Sequence, residues 1–143
     1  MVYLDTSVLL KLLLPEPETV AVQEAIAAEP VVIVSALAEL EAEVQLQAGC
    51  LEGVFTRSQF RRLVQRLRKL KGQEPFDFRS LPGTLFQTAL EQHRSSERPH
   101  LRTLDRLHLA AMQELGVWRL MTHDRTQAQA AATLGYQVLS PSH

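Results

Sequence analysis

Apolar positions along the chain fall into two kinds of block. Short continuous runs occur at 2–4 (VYL), 31–34 (VVIV), 118–122 (WRLMT) and 136–140 (YQVLS). Their length and β-branched content predict buried strands. Between them, apolar residues recur at steps of three and four, the spacing of a helix with one buried face. Helices are expected from Thr6 to Leu14, stopped by Pro15 and Pro17, and from Glu18 to Ala28. Ser35 is a good N-cap for a helix to about Ala48, with Gly49 as its stop. Thr56 or Ser58 opens another helix that runs to Lys71 and ends at Gly72. The segment 73–83 holds two prolines and a short strand around Phe76–Phe78. Further helices are read from Thr84 to about Arg94, from Thr103 to Leu115 with Gly116 behind it, and from Arg125 to Leu134. Ser95 to His100 reads as a polar loop closed by Pro99.

Strands alternating with helices imply an α/β fold, a short, mainly parallel sheet with helices on both faces. In such sheets ligands bind beyond the carboxyl ends of the strands. Asp5 and Asp124 both fall just past a predicted strand end. Two further acids lean inward from helices. On the helix after Ser35 the apolar stripe is read as Leu37, Leu40, Val44 and Ala48, and Glu41 lies within it, whereas Glu39 and Glu43 project to the other side. On the helix from Thr103 the buried face is read as Leu104, Leu107, Ala111, Met112 and Leu115, with Asp105 at its margin.

Each acid also has a plain structural reading. Asp5 and Asp124 fit as helix caps, Asp105 complements a helix dipole, and Glu41 fits as an edge residue. Taken together these readings account poorly for the pattern. Carboxylates gathered in one pocket repel each other unless some protonate or a cation neutralises them. Hard oxygen ligands suit Mg²⁺ or Mn²⁺, and such a site supports water attack on a phosphoryl group. No His–Cys set has zinc spacing, and the glycines form no phosphate-cradling loop.

Composition narrows the picture. With 143 residues, 45% of them hydrophobic, the chain is long enough for one domain with a packed core, spanning 1–143. The single cysteine, Cys50, rules out an intrachain disulfide and fits a reducing compartment. The apolar VLLKLLL segment is too short to span a bilayer and lacks a cleavage site, so a cytoplasmic protein with no membrane association is expected. Net charge is −1, so any nucleic-acid contact needs a local basic patch. Residues 56–71 supply one, with Arg57, Arg61, Arg62, Arg66, Arg68, Lys69 and Lys71 around an apolar stripe of Phe60, Leu63, Val64, Leu67 and Leu70. A solvated helix face, phosphate contacts and docking of an acidic protein segment all fit that patch. His108 and His123 are read as structural histidines, with assistance in proton transfer as the other option.

At these residues the chain resembles the PIN-domain family. YLDTSVLLKLLLPEPE is similar to that family's first strand and helix, SALAELEAEV to its second acidic segment, LRTLDRLHLAAM to its third and MTHDRTQAQAAATLGYQV to its last. The blocks cover nearly the whole chain in the family's order, and the small size resembles the VapC-like endoribonucleases of toxin–antitoxin pairs. The resemblance implies Mg²⁺- or Mn²⁺-dependent hydrolysis of RNA phosphodiester bonds, with Asp5, Glu41, Asp105 and Asp124 as catalytic metal ligands. Thr6, Ser7 and Thr122 would support them through hydroxyls or bound waters. It also implies a homodimer and a cognate antitoxin, and makes the basic residues Arg57 to Lys69 an RNA- or antitoxin-binding face. A PIN nuclease of RNA processing without an antitoxin and an inactive PIN binding module stay open. A haloacid-dehalogenase-like phosphatase fits less well, because the second Asp it needs is Ser7 here.

Overall fold

A computed structural model describes residues 1–96 and 101–142; positions 97–100 of the predicted polar loop, and position 143, lie outside them. The strands are β1 (Val2–Leu4), β2 (Val32–Ser35), β3 (Phe76–Arg79), β4 (Arg119–Met121) and β5 (Gln137–Leu139). The helices are α1 (Thr6–Leu13), α2 (Thr19–Ala27), α3 (Ala36–Leu51), α4 (Arg57–Lys69), α5 (Leu85–Arg94), α6 (Thr103–Leu115) and α7 (Arg125–Thr133). All five strands pair in parallel, in the order β3-β2-β1-β4-β5.

Alternation along β1 explains how the sheet is covered. Val2 and Leu4 enter a core built with α1, α2, α3 and α4, whereas Tyr3 enters a second core built with α5, α6 and α7. All three residues are fully buried, as expected for a central strand with helices on both faces. The chain leaves β1 toward β2 and leaves β4 toward β5, so the strand order reverses between β1 and β4. Open α/β sheets place their ligand crevice at that reversal.

Three predictions about α3 and α4 need correction. Helix α3 does not stop at Gly49; it continues to Leu51 and closes on Gly53, at φ +80°. Gly53 N–H donates to Cys50 O and Val54 N–H to Gly49 O, a paired closure that only a left-handed residue permits. Gly49 has another role: a Cβ there would lie 2.5 Å from Cε2 of Phe55, so the ring packs against bare backbone. The apolar stripe assigned to α3 is also misplaced. Leu40 and Val44 are 61% and 55% exposed, Ala48 is exposed, and the buried face is Ala38, Ala42 and Leu46. Helix α4 gives way at Leu70–Gly72 to a turn of 3₁₀ helix instead of running to Lys71. On α6, Leu104 is half-exposed, but every residue from Asp105 to Met112 is buried.

Candidate functional site: an acidic cleft at the strand reversal

Asp5 ends β1 and caps α1. Its Oδ1 accepts the Thr6 amide at 2.8 Å, and its Oδ2 accepts Thr122 Oγ1 at 2.6 Å and Ser7 Oγ at 3.3 Å. Thr122 follows β4, the strand beside β1, and is fully buried. Its hydroxyl also accepts the Asp124 amide at 3.0 Å, so one threonine ties the two strand-end acids together. Asp124 is the α7 cap, its Oδ1 accepting the Gln127 amide at 3.1 Å. Capping and membership of the cleft are therefore compatible at both positions.

Glu41 reaches the cleft by a different route from the one its sequence neighbours suggest. Leu37, one turn earlier, packs against the second core while Ala38 and Ala42 fill the first. The side of α3 carrying Leu37 and Glu41 therefore faces α6. There Glu41 Oε1 accepts Thr6 Oγ1 at 3.0 Å and makes a short contact with His108 Nε2. His108 is 1% exposed, and its Nδ1 lies 2.6 Å from the Tyr3 hydroxyl, itself 2.7 Å from Ser35 Oγ. Ser35 Oγ accepts the Ala38 amide and caps α3. One donor order satisfies the whole run: Ala38 N–H to Ser35, Ser35 to Tyr3, Tyr3 to His108 Nδ1, and His108 Nε2–H to Glu41. Such a fully connected buried network fixes its members' orientations.

Asp105 sits in the first turn of α6, 7% exposed. The Arg102 guanidinium lies 2.9 Å from it and 3.6 Å from Asp124, bridging the two. Gln127, fully buried, donates from Nε2 to the Asp105 carbonyl at 2.9 Å.

Electrostatics link the acids. Burial pushes the Asp105 carboxyl up; Arg102 opposes this, while the charges of Asp124 and Asp5 add to it. Burial acts on Glu41 in the same sense, but the hydrogen bond from His108, the Thr6 hydroxyl and the Arg102 charge outweigh it and hold Glu41 below the usual carboxylate value. Burial, with the nearby Asp5 and Glu41, raises the Tyr3 phenol against the Ser35 hydrogen bond, so it remains a proton donor. Asp5, Glu41, Asp105 and Asp124 thus share one electrostatic neighbourhood, with Thr6, Ser7 and Thr122 among them. Among the described residues, no three His, Cys, Asp or Glu side chains already converge as a ligand set. Glu41 is turned to His108, and Asp105 and Asp124 are turned to Arg102.

The basic helix is partly neutralised. Arg66 donates to Leu13 O at 2.9 Å and Leu12 O at 3.3 Å, capping the end of α1. Arg68 pairs with Glu43 and Lys71 with Glu39, the two acids that flank Glu41. Arg57, Arg61, Arg62 and Lys69 are exposed, with no ion pair among the described residues. His123 contacts the Pro141 carbonyl through Nε2 and donates its backbone amide to Ser7 Oγ at 3.3 Å. Sequence reasoning missed Tyr3, Arg102 and Gln127 and took His108 as structural. The available signal for His108 was its position three residues after Asp105 on one helix.

A parallel α/β domain with four carboxylates at its strand reversal defines the class. The PIN domain model matches residues 2–132. Ribonuclease VapC46 of Mycobacterium tuberculosis (strain ATCC 25618 / H37Rv) is 34% identical over 143 residues, 99% of this chain and 98% of that protein. The chain belongs to the PIN-domain family, in its VapC-like branch. Two solved structures share the fold at low identity. M. tuberculosis VapC20, described as a sarcin-ricin loop cleaving toxin, superposes with a TM-score of 0.75 at 16% identity, covering 99% of this chain and 100% of that one. A toxin–antitoxin complex from Klebsiella pneumoniae gives 0.69 at 18% identity, covering 100% and 99%. No helix among the described residues is long and apolar enough to cross a membrane.

Proposed function

We propose that this protein is a Mg²⁺- or Mn²⁺-dependent endoribonuclease, the toxin of a toxin–antitoxin pair. The observation that carries the reading is the acidic cleft at the β1–β4 reversal in a chain that matches a VapC ribonuclease almost end to end. The donor set suits the cation: every candidate ligand is a carboxylate or hydroxyl oxygen, the chemistry hard divalent ions prefer. Arg102 bridges Asp105 and Asp124, which marks a place where positive charge is already accommodated. Asp5, Glu41, Asp105 and Asp124 would hold the ion, with Thr6, Ser7 and Thr122 supporting them. The ion supplies Lewis-acid polarisation of a phosphoryl group and a water more acidic than bulk.

The chain's own residues do the remaining work. Thr122, Ser7 and the Thr6 amide fix Asp5 through both oxygens. His108 and Thr6 hold Glu41 through Oε1, which leaves Oε2 free of those two partners and would let Glu41 serve as a ligand or accept a proton. Arg102, 79% exposed at its side chain, can leave the acids for a phosphate of the strand.

An antitoxin partner is favoured by the exposed apolar residues Leu40 and Val44, which line a groove with Phe60, Arg61 and Arg68. That mixture suits an acidic amphipathic segment. A homodimer follows from the family resemblance alone. The test is cleavage of total RNA by purified protein. Cutting that requires Mg²⁺ or Mn²⁺, stops with a chelator and disappears in Asp5→Ala is the expected result. Protein that cuts no RNA with either ion, and is as harmless on expression as Asp5→Ala, sinks the proposal.

A further inference from the structure

Outside the acidic cleft, the group hardest to account for is the guanidinium of Arg106. It is 8% exposed, and among the described residues neither Nε nor Nη1 has a hydrogen-bond partner. A guanidinium cannot relieve burial by losing its proton. An unpartnered buried charge is costly, and such an orphan in a native fold points to a water or ion that completes it.

The surroundings indicate which. Arg106 lines a pocket of about 360 Å³ between the end of α5, α6 and α7. Thr126 and Gln129 share that lining, as do Ser95 and Thr133, whose hydroxyls donate to the Gln92 and Gln129 carbonyls, and no carboxylate does among the described residues. One buried cation beside the Thr126 hydroxyl and the Gln129 amide, with no acid to neutralise it among the described residues, is a site for an anion. The guanidinium fork matches a phosphate best, through two parallel N–H donors.

Position narrows the occupant further. Arg106 directly follows Asp105 on α6, and Thr126 lies two residues after Asp124 at the start of α7. Gln127 joins the two helices at the Asp105 carbonyl. The pocket and the acidic cleft therefore share one α6–α7 seam. We propose that the Arg106 pocket binds a phosphate group, and that its occupant is a backbone phosphate of the RNA strand flanking the one cleaved in the acidic cleft. The RNA part rests on the ribonuclease reading; the phosphate part does not. Anchoring a neighbouring phosphate would set the register of the scissile bond, a positioning contribution distinct from the chemistry.

The test has two arms. First, wild-type protein is titrated with inorganic phosphate alone and followed by amide NMR at Thr126 and Gln129. Saturable shifts are expected; Arg106→Gln should weaken them at least tenfold, and Asp5→Asn should retain them. Second, Asp5→Asn protein, chosen to prevent cutting, is titrated with single-stranded RNA by fluorescence anisotropy at several salt concentrations. Adding Arg106→Gln should weaken binding and reduce the log–log salt slope by about 0.7, the loss of one phosphate contact. No phosphate binding, or binding indifferent to Arg106→Gln, overturns the pocket. Phosphate binding that needs Arg106 while RNA affinity and slope stay unchanged overturns the RNA occupant and leaves free phosphate. The first arm reads out even if the protein cuts no RNA. Should Arg106→Gln fail to fold, a Thr126→Val variant keeps the arginine, removes the hydroxyl beside it and should weaken phosphate binding in the same direction.

Discussion

Replacing Tyr3 by Phe isolates the buried network behind Glu41. The ring is fully buried and meets the His108 ring edge-on, with centroids 5.7 Å apart, and Phe preserves both features. Only the hydroxyl is lost, and with it the contacts to Ser35 Oγ at 2.7 Å and His108 Nδ1 at 2.6 Å. Ser35 still accepts the Ala38 amide, but its buried hydroxyl loses the Tyr3 oxygen as acceptor, which adds to the cost. His108 Nδ1 is left without a donor in a fully buried position, which costs about 1–3 kcal/mol beyond the net value of roughly 1 kcal/mol for a bond. The expected destabilisation is about 2–4 kcal/mol, or on the order of 6–16 °C in Tm for a domain of this size. Urea unfolding followed by circular dichroism measures it, with an unchanged m-value. In a His108→Phe background the acceptor is already gone, so Tyr3→Phe should then cost less than about 1 kcal/mol. Equal costs in both backgrounds, or a single-variant loss below about 0.5 kcal/mol, would refute the network as the reason for the tyrosine.

Other expectations follow from single residues. Asp124→Asn keeps a capping side chain and should abolish cleavage with little change in Tm, whereas Asp124→Ala should also lose about 1 kcal/mol of stability; thermal melts alongside a cleavage assay separate the two. Gly49→Ala should destabilise in spite of a helix-propensity gain of about 1 kcal/mol, because the new Cβ meets the Phe55 ring, and should stabilise in a Phe55→Ala background; urea midpoints read the sign change. The hydrogen bond from Arg119 Nη1 to Glu29 at 2.7 Å holds the Glu29 carboxyl below its ordinary value of 4.5 against the effect of burial, and the charges of Arg119 and the N-terminus assist. A lowered folded-state value gives stability that is present above 4.5 and lost as pH falls through it. The stability gap between wild type and Glu29→Gln should therefore be constant above the ordinary value of 4.5 and shrink as pH falls below it in urea titrations. Arg66→Gln should lose about 1 kcal/mol through the carbonyls it caps, while Arg61→Gln leaves Tm unchanged.

The strand–helix alternation and both strand-end acids were legible because they depend on short-range pattern. A strand of three apolar residues followed by Asp and Thr has few alternatives, and β1, α6 and α7 start where the pattern places them. Glu41 was identified for the wrong reason. The stripe of Leu37, Leu40 and Val44 is periodic, but Leu40 and Val44 face outward, and small Ala38 and Ala42 fill the close contact with α1. Periodicity reports which residues share a face, and hydrophobicity misreports which face is inside when alanines pack the core and leucines line a groove. The contact of Tyr3 with His108 was beyond reach for a second reason. The two lie 105 residues apart in sequence, so only the assembled sheet shows that they meet. The metal and its ligand roles are proposals that rest on family resemblance and the chemistry of the acids.

The strand order β3-β2-β1-β4-β5 bears on when the protein can become harmful during its own synthesis. Asp5 and Glu41 precede β3, but the strand that sets Thr122 and Asp124 beside Asp5 is β4, which inserts next to β1 only after β2, β3 and the helices up to α6 have been made. A nascent chain on the ribosome can therefore build one flank of the sheet and its helices while still lacking half of the carboxylates. Truncated products ending before β4 carry no complete cleft.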